Sequence, residues 1–163
     1  MPLATPWQHG YALARSLRHA LSYGDSRFDF TAPGQPALHY WETAMPSSRM
    51  EGLVSAGGPA CAITSQRRET AKRFVLARAL GDYIGRSDAG LGILTSMDTA
   101  RQARSRAFAA ELLAPAESLR PRLADQGVNV HDLGQEFDVS TQLINHQITN
   151  HGLPQPYSSS AHG

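Results

Sequence analysis

Two charged side chains of opposite sign, Arg78 and Asp82, lie four residues apart within the apolar stretch from Phe74 to Ile84. On a helix this spacing places both side chains on one face. The stretch is apolar on nearly every side, which is typical of a helix buried within a domain. An unpaired charge in such a place costs several kcal/mol. We therefore expect Arg78 and Asp82 to pair with each other or with groups on the next helix.

Three other patterns that could support chemistry are better explained by structure. Residues 24–26, Gly-Asp-Ser, are similar to the nucleophile block of some serine esterases. Those enzymes also need an aspartate three residues before a histidine near the C-terminus, and this is absent, so we predict a turn. Cys61 is the single cysteine, which excludes an internal disulfide, and we expect a buried structural thiol. His146 and His151 are five residues apart and fall on different helix faces, so we predict no metal site there.

The pattern of apolar residues, prolines and glycines predicts the elements that position these side chains. The first half of the chain is predicted to form an amphipathic helix at 10–23, a short strand at 37–41 and a hairpin at 52–64 with a Gly57-Gly58-Pro59 turn. A long helix at 67–84 and a glycine-containing loop at 87–94 follow, and then a helix that begins with a Thr95–Asp98 capping box and ends before Pro115. Shorter helices are predicted at 117–124, 130–137 and 141–150. The order of these elements indicates an α+β domain, with one helix first, then a small antiparallel sheet, and then only helices. We expect it to span residues 1–151, including the helical pair at 130–150, with a flexible tail at 152–163.

Three segments of the chain resemble the ImmA/IrrE family of bacterial metallopeptidase-like proteins. Residues 73–84 (RFVLARALGDYI) are similar to the family's zinc-binding helix, where an arginine and a phenylalanine precede a few apolar residues and then His-Glu-x-Gly-His. Residues 108–115 (FAAELLAP) are similar to the family block Phe-Ala-Ala-Glu-Leu-Leu-x-Pro, and Val139-Ser140 precedes a short helix as in the family's C-terminal helical pair. The resemblance implies an N-terminal helix, a small sheet with a hairpin, a zincin-like core helix and a C-terminal helical bundle.

The positions that carry zinc chemistry in the family hold different residues here. In the family, two histidines four apart bind one Zn²⁺ and the glutamate between them activates the metal-bound water. This chain has Arg78, Ala79 and Asp82 at those three places. The family's remaining acidic ligand would fall in residues 101–106, which contain no acid. A permanently charged guanidinium repels a divalent cation, so we predict no metal, no cofactor and no catalysis.

In place of the metal we predict a salt bridge in which Arg78, with Arg104 or Arg106 from the neighbouring helix, neutralises Asp82. An alternative is an active zinc peptidase with unusual ligands, such as Asp82, Glu111 and a histidine from elsewhere in the chain.

The resemblance also implies a type of role. Family members often accompany DNA-binding regulators in phage, mobile-element and stress-response systems, which suggests a regulatory or protein-binding module for a member without the zinc motif. A protein segment would lie in the former substrate groove, and adding a strand to the edge of the hairpin is one way for it to bind. The chain could also be part of a longer polypeptide that carries a DNA-binding domain.

The distribution of charge leaves nucleic acid as an alternative partner. The whole chain has a net charge of +1, which gives no general attraction to nucleic acid or to anionic membranes. Residues 66–122 hold 11 basic and 6 acidic residues, and a basic face there is either solvated or binds an anionic partner. Its members would be Arg67, Arg68, Lys72, Arg73 and Arg101. After Arg122 there are four acidic residues and no basic one, which argues against DNA binding by the helical pair.

The start of the chain lacks a basic region followed by an apolar run, and no stretch has the roughly 20 apolar residues that a membrane helix needs. We therefore expect a cytoplasmic protein that does not bind a membrane.

Overall fold

The computed structural model describes residues 4–31, 39–55, 59–88, 90–125 and 127–156. Within these ranges, the helices and strands are α1 (Pro6–Ala20), β1 (His39–Glu42), β2 (Met50–Val54), β3 (Cys61–Thr64), α2 (Glu69–Ile84), β4 (Gly92–Thr95), α3 (Ala100–Leu113), α4 (Ala116–Ala124), α5 (Val130–Phe137) and α6 (Thr141–His151). The predicted α+β class is confirmed. The predicted turn at residues 24–26 is also present, with Gly24 at a φ of +52°. In the described part of the chain no helix is both long and apolar enough to cross a bilayer.

The four strands form one mixed sheet in the order β1-β3-β2-β4. β2 and β3 pair antiparallel with Leu53 opposite Ile63, which confirms the hairpin, although residues 57 and 58 of its turn lie outside the described residues. The expectation of an antiparallel sheet is wrong for one pair, because β1 runs parallel to β3. β1 begins at His39, and the two residues before it in the predicted strand also lie outside the described ranges.

β4 corrects the prediction for residues 87–98. A short run with two glycines is typical of a loop, but Gly92–Thr95 forms a strand because it pairs antiparallel with β2, which is distant in sequence. Thr95 therefore ends a strand and does not begin a helix. The N-cap of α3 is Thr99, whose side chain accepts a hydrogen bond from the backbone N–H of Gln102.

The added strand changes which strands lie at the edges of the sheet. β2 lies between β3 and β4, and β3 lies between β1 and β2. Neither hairpin strand has a free edge, so the expected addition of a peptide to the hairpin is wrong. At the outer edge of β4, the Gln102 side chain of α3 donates from its Nε2 to the Ile93 carbonyl at 2.7 Å. The Gln102 Oε1 atom accepts from the Thr95 backbone N–H at 3.0 Å.

α2 lies between the sheet and the other helices. On its sheet side, Val75, Leu76 and Ala79 pack with buried side chains of three strands, Val54, Ala62 and Leu94. On its other side a larger core joins all six helices of the described chain, with Phe108, Leu112 and Ile144 fully buried. Because both sides of α2 are covered, the two charged residues in its second half, Arg78 and Asp82, are each only 1% exposed and need partners within the chain.

The remaining helices follow the predicted pattern with small shifts. α1 begins earlier than predicted, at Pro6, because Thr5 and Gln8 form a capping box. α5 and α6 confirm the predicted helical pair, and Ser140 caps α6 by accepting a hydrogen bond from the Leu143 N–H at 3.2 Å. Residues 157–163 of the predicted tail lie outside the described residues.

Candidate functional site

Arg78 is buried at the junction of α2, α3 and the sheet, with 1% of its surface exposed. Its Nε donates to Ser105 Oγ at 3.2 Å, and its Nη2 donates to Gln102 Oε1 at 2.5 Å and to the Thr95 carbonyl at 2.9 Å. Its Nη1 forms a short hydrogen bond and ion pair with Glu51. Burial lowers the pKa of the Arg78 guanidinium and the Glu51 carboxylate raises it. An arginine remains charged through such a shift, so a full cation is held here by four acceptor groups.

Glu51 reaches this place because β2 carries a bulge. The β2 residues on either side of Glu51 are opposite consecutive residues of β4, so Glu51 is the extra residue. A bulge changes the direction of the side chains next to it, and Gly52, the next residue, faces Val75 of α2. Sequence reasoning missed Glu51. The one local signal is an acidic residue in front of a glycine at the start of an apolar strand, and that signal does not reveal a bulge.

Asp82 lies one turn further along α2, with 1% of its surface exposed. Arg101 binds it with two hydrogen bonds, Nε to Oδ1 at 2.7 Å and Nη2 to Oδ2 at 2.8 Å. Arg86, whose side chain is 4% exposed, brings its Nε to 3.2 Å from Asp82 Oδ2. The hydrogen bonds to Asp82 raise the pKa of Arg101. The two-point geometry of Arg101 is the strong form of an arginine–carboxylate pair.

Both charges bind groups of the next helix, α3, as one of the two alternatives predicted, but Arg104 and Arg106 are not among their partners in the described chain. Arg78 and Asp82 form no ion pair with each other in the described chain. Besides the groups of α3, Arg78 is bound by groups of β2 and β4, and Asp82 is bound by Arg86, which lies just beyond the end of α2. Arg106 pairs with the fully exposed Asp98, and the described ion pairs do not include Arg104. We call Arg78, Glu51, Asp82, Arg86 and Arg101 the charge centre. It contains three guanidinium groups and two carboxylates, so it carries a surplus of positive charge.

The donor set of the charge centre does not fit zinc. Zinc sites in proteins use histidine, cysteine and carboxylate ligands, usually four in number. At the positions of the zinc motif only Asp82 is of that type, and both of its oxygens are bound by arginines. Within the described ranges, no three histidine, cysteine, aspartate or glutamate side chains converge to hold a metal ion.

Glu111, the other ligand considered for an active peptidase, belongs to a second buried cluster between α1, α3 and α6. It is 1% exposed and accepts from Arg15 Nε at 2.8 Å and from Gln147 Nε2 at 3.0 Å. His151 Nε2 lies 3.5 Å from the same carboxylate. Burial lowers the pKa of His151, although Glu111 raises it in part. The structure therefore places Glu111 in a helix-packing cluster and not with Asp82.

The five residues of the expected basic face have different surroundings. Lys72 pairs with Glu42 at 2.6 Å and with Glu69 at 2.8 Å, and Arg101 belongs to the charge centre. Arg73 donates to the Phe28 and Asp138 carbonyls. Arg67 and Arg68 are exposed. Three of the five thus serve contacts within the chain, which leaves Arg67 and Arg68 as the exposed cations of the set.

A groove of about 1070 Å³ runs along α3 between α1, the start of α2 and α6, and we call it the helical groove. One end includes Glu51 and Arg106, next to the charge centre, and the other end includes Tyr11 and His151. Along α3 it is lined by small side chains of one helix face, Ala103, Ala107 and Ala110. Space for a bound segment therefore exists next to Glu51, the partner of Arg78.

Gly92 gives a direct test of how tightly the charge centre is packed. A Cβ atom at this position would overlap the Asp82 carboxylate and would lie 2.7 Å from both Arg101 Nη2 and Val54 Cγ1. We expect Gly92→Ala to lower the free energy of unfolding by about 1–3 kcal/mol, the usual cost of overpacking. Urea denaturation measures the change. Gly90→Ala is the control, since a Cβ atom there would lie 3.6 Å from Asp88 Oδ2, an ordinary contact distance. Equal costs for the two variants would contradict the packing described.

Comparison with known families gives one match. The model described as the IrrE N-terminal-like domain, Peptidase_M78, matches residues 29–149, which is more than half of the chain. The match covers the sheet, α2 with its substituted zinc motif, and the helices through most of α6. No curated protein matches the chain.

Proposed function

The chain belongs to the Peptidase_M78 family of IrrE N-terminal-like domains, and from this premise we propose that it is a catalytically inactive member that acts as a regulatory, protein-binding module. The observation that carries the proposal is the environment of Arg78. A guanidinium stands at the position of the first zinc-binding histidine, is buried, and is bound by four acceptor groups.

In a metallopeptidase, peptide hydrolysis needs the metal to generate a nucleophile from water and a base to accept the proton of that water. Ala79 stands at the position of the glutamate and has no group that accepts a proton. Asp82, at the position of the second histidine, is neutralised by Arg86 and Arg101. Three guanidinium groups around two carboxylates make the entry of a divalent cation unfavourable, because like charges repel strongly in a buried site.

The replacement of the zinc motif leaves the helical groove in place, and this groove is large enough to hold a polypeptide segment. The helical groove begins beside Glu51 and the charge centre and has the volume of a ligand cleft. A module of this kind would bind a segment of a regulator without cutting it, and its effect would come from the binding itself.

Zinc content tests the inactive state. We expect the protein, purified in zinc-containing buffer and then dialysed, to hold far less than one zinc per chain by mass spectrometry of the metal. Its melting temperature should not change on addition of EDTA, because no part of the fold depends on the ion. Retention of one zinc per chain that is lost in Asp82→Ala would overturn the proposal and support the peptidase with unusual ligands.

A further inference from the structure

The helical groove has an uneven distribution of charge. Its basic members are Arg15, Arg68 and Arg106, and its one acidic member is Glu51. Glu51 is already bound by Arg78, so its charge is compensated within the chain. The described residues show no carboxylate paired with Arg68, and the Arg15 side chain is 52% exposed although its Nε binds Glu111. Arg106 pairs with Asp98, which is fully exposed and does not line the groove. The walls of the groove therefore present positive charge to whatever lies inside it.

The groove also offers apolar contact. Trp7 of α1 is 50% exposed at its rim, and Phe74 of α2 and Leu143 of α6 line its sides. An exposed tryptophan next to a concave, partly apolar surface is typical of a binding site for a protein segment. Small side chains along α3 leave room for a chain to approach the helix closely.

We propose that the helical groove binds an acidic segment of a partner protein, with carboxylates facing Arg15, Arg68 and Arg106 and an apolar side chain against Trp7. This inference rests on the proposed function, because it names the partner chemistry of a module that binds without cutting. The attraction acts at the rim of the groove, where charge sets specificity and the rate of association more than total affinity.

A protein segment fits this groove better than a nucleic acid does. Phosphate binding draws on many cations along one surface, whereas the groove has three and they are spread over α1, α2 and α3. α6 forms one wall, and α5, which packs beside it, adds Asp132 and Glu136 without any basic residue. Glu136 is compensated by Arg122, and Asp132 adds negative charge that disfavours a phosphate backbone.

The test is selection of binders from a library of random 12-residue peptides displayed on phage, with the full chain immobilised. We expect the recovered peptides to carry net negative charge and at least one large apolar residue. Recovered peptides that are neutral or basic, or a failure to enrich any peptide, would overturn the inference. Tighter binding of random-sequence duplex DNA than of the recovered peptides would also overturn it in favour of a nucleic acid.

Two neighbouring arginines supply a matched pair of variants. Arg68 lines the helical groove, whereas Arg67 is equally exposed but lines a different depression beside β1. We expect Arg68→Glu to weaken binding of a recovered peptide by about tenfold and Arg67→Glu to change it by less than about twofold. Fluorescence anisotropy at low salt measures both, and the Arg68 effect should shrink as salt increases. Equal effects of the two reversals would contradict binding in this groove.

The two proposals fail in distinguishable ways. Retained zinc with cleavage of the recovered peptides would remove the inactive state and leave the charge preference of the groove in place. Zinc-free protein that recovers no acidic peptides would remove the groove assignment and leave the inactive state in place.

Discussion

Replacing Arg78 by alanine is expected to lower the free energy of unfolding by about 3–5 kcal/mol, the cost of leaving a buried ionic partner alone. The variant removes one donor each from Gln102 Oε1, Ser105 Oγ and the Thr95 carbonyl. It also leaves Glu51 without its cation and opens a cavity between α2 and α3.

Chemical denaturation followed by circular dichroism measures this loss. Arg120→Ala is the matched control, because Arg120 is half-exposed and only 4.0 Å from an exposed Glu117, and such a pair contributes less than about 1 kcal/mol. If the alanine variant does not fold, Arg78→Lys keeps the charge but cannot bind several acceptors in one plane, and it should still be clearly destabilised. An Arg78 variant as stable as the Arg120 variant would contradict the described role of the guanidinium.

Asp82→Ala is expected to have a cost of similar size, about 3–5 kcal/mol, for the opposite reason. It leaves two cations without a carboxylate, and one of them, Arg86, has a side chain that is only 4% exposed. Arg101 is 38% exposed and turns toward water more easily. The loss should therefore fall mostly on Arg86, and Arg101→Ala alone should cost less than Asp82→Ala.

Thermal and urea unfolding of the same samples checks this order. Asp98→Ala provides the comparison, since Asp98 is fully exposed and pairs with Arg106 at the surface, so its loss should cost less than about 1 kcal/mol. A result in which Arg101→Ala destabilises more than Asp82→Ala would show that Asp82 is not the shared anion of this pair of arginines.

Part of the charge centre could be predicted from the sequence, because part of it is local. The four-residue spacing of Arg78 and Asp82 on an apolar helix is enough to predict that both are buried and compensated. The identity of the compensating groups is not local. Glu51 depends on a bulge between distant strands, and Arg101 depends on how α3 crosses α2.

The same division explains the fold. α2, α3 and the α5–α6 pair carry their own signals, in periodicity and in caps such as Ser140. β4 carries almost none, since its four residues contain a glycine and become a strand only through pairing with β2. The parallel direction of β1 is likewise a property of the assembled sheet, because a single strand has no preference for one direction of its neighbour.

The side-chain amide of Gln102 forms the hydrogen bonds that a further strand would form on the outer side of β4, since it pairs with one backbone donor and one backbone acceptor there. The same side chain also accepts from Arg78. Another polypeptide could pair with β4 here only by displacing the Gln102 amide, and Arg78 would then lose one of its hydrogen-bond acceptors. Pairing of another molecule with β4 therefore requires the loss of a buried hydrogen bond of Arg78, and this cost opposes aggregation through the edge of β4.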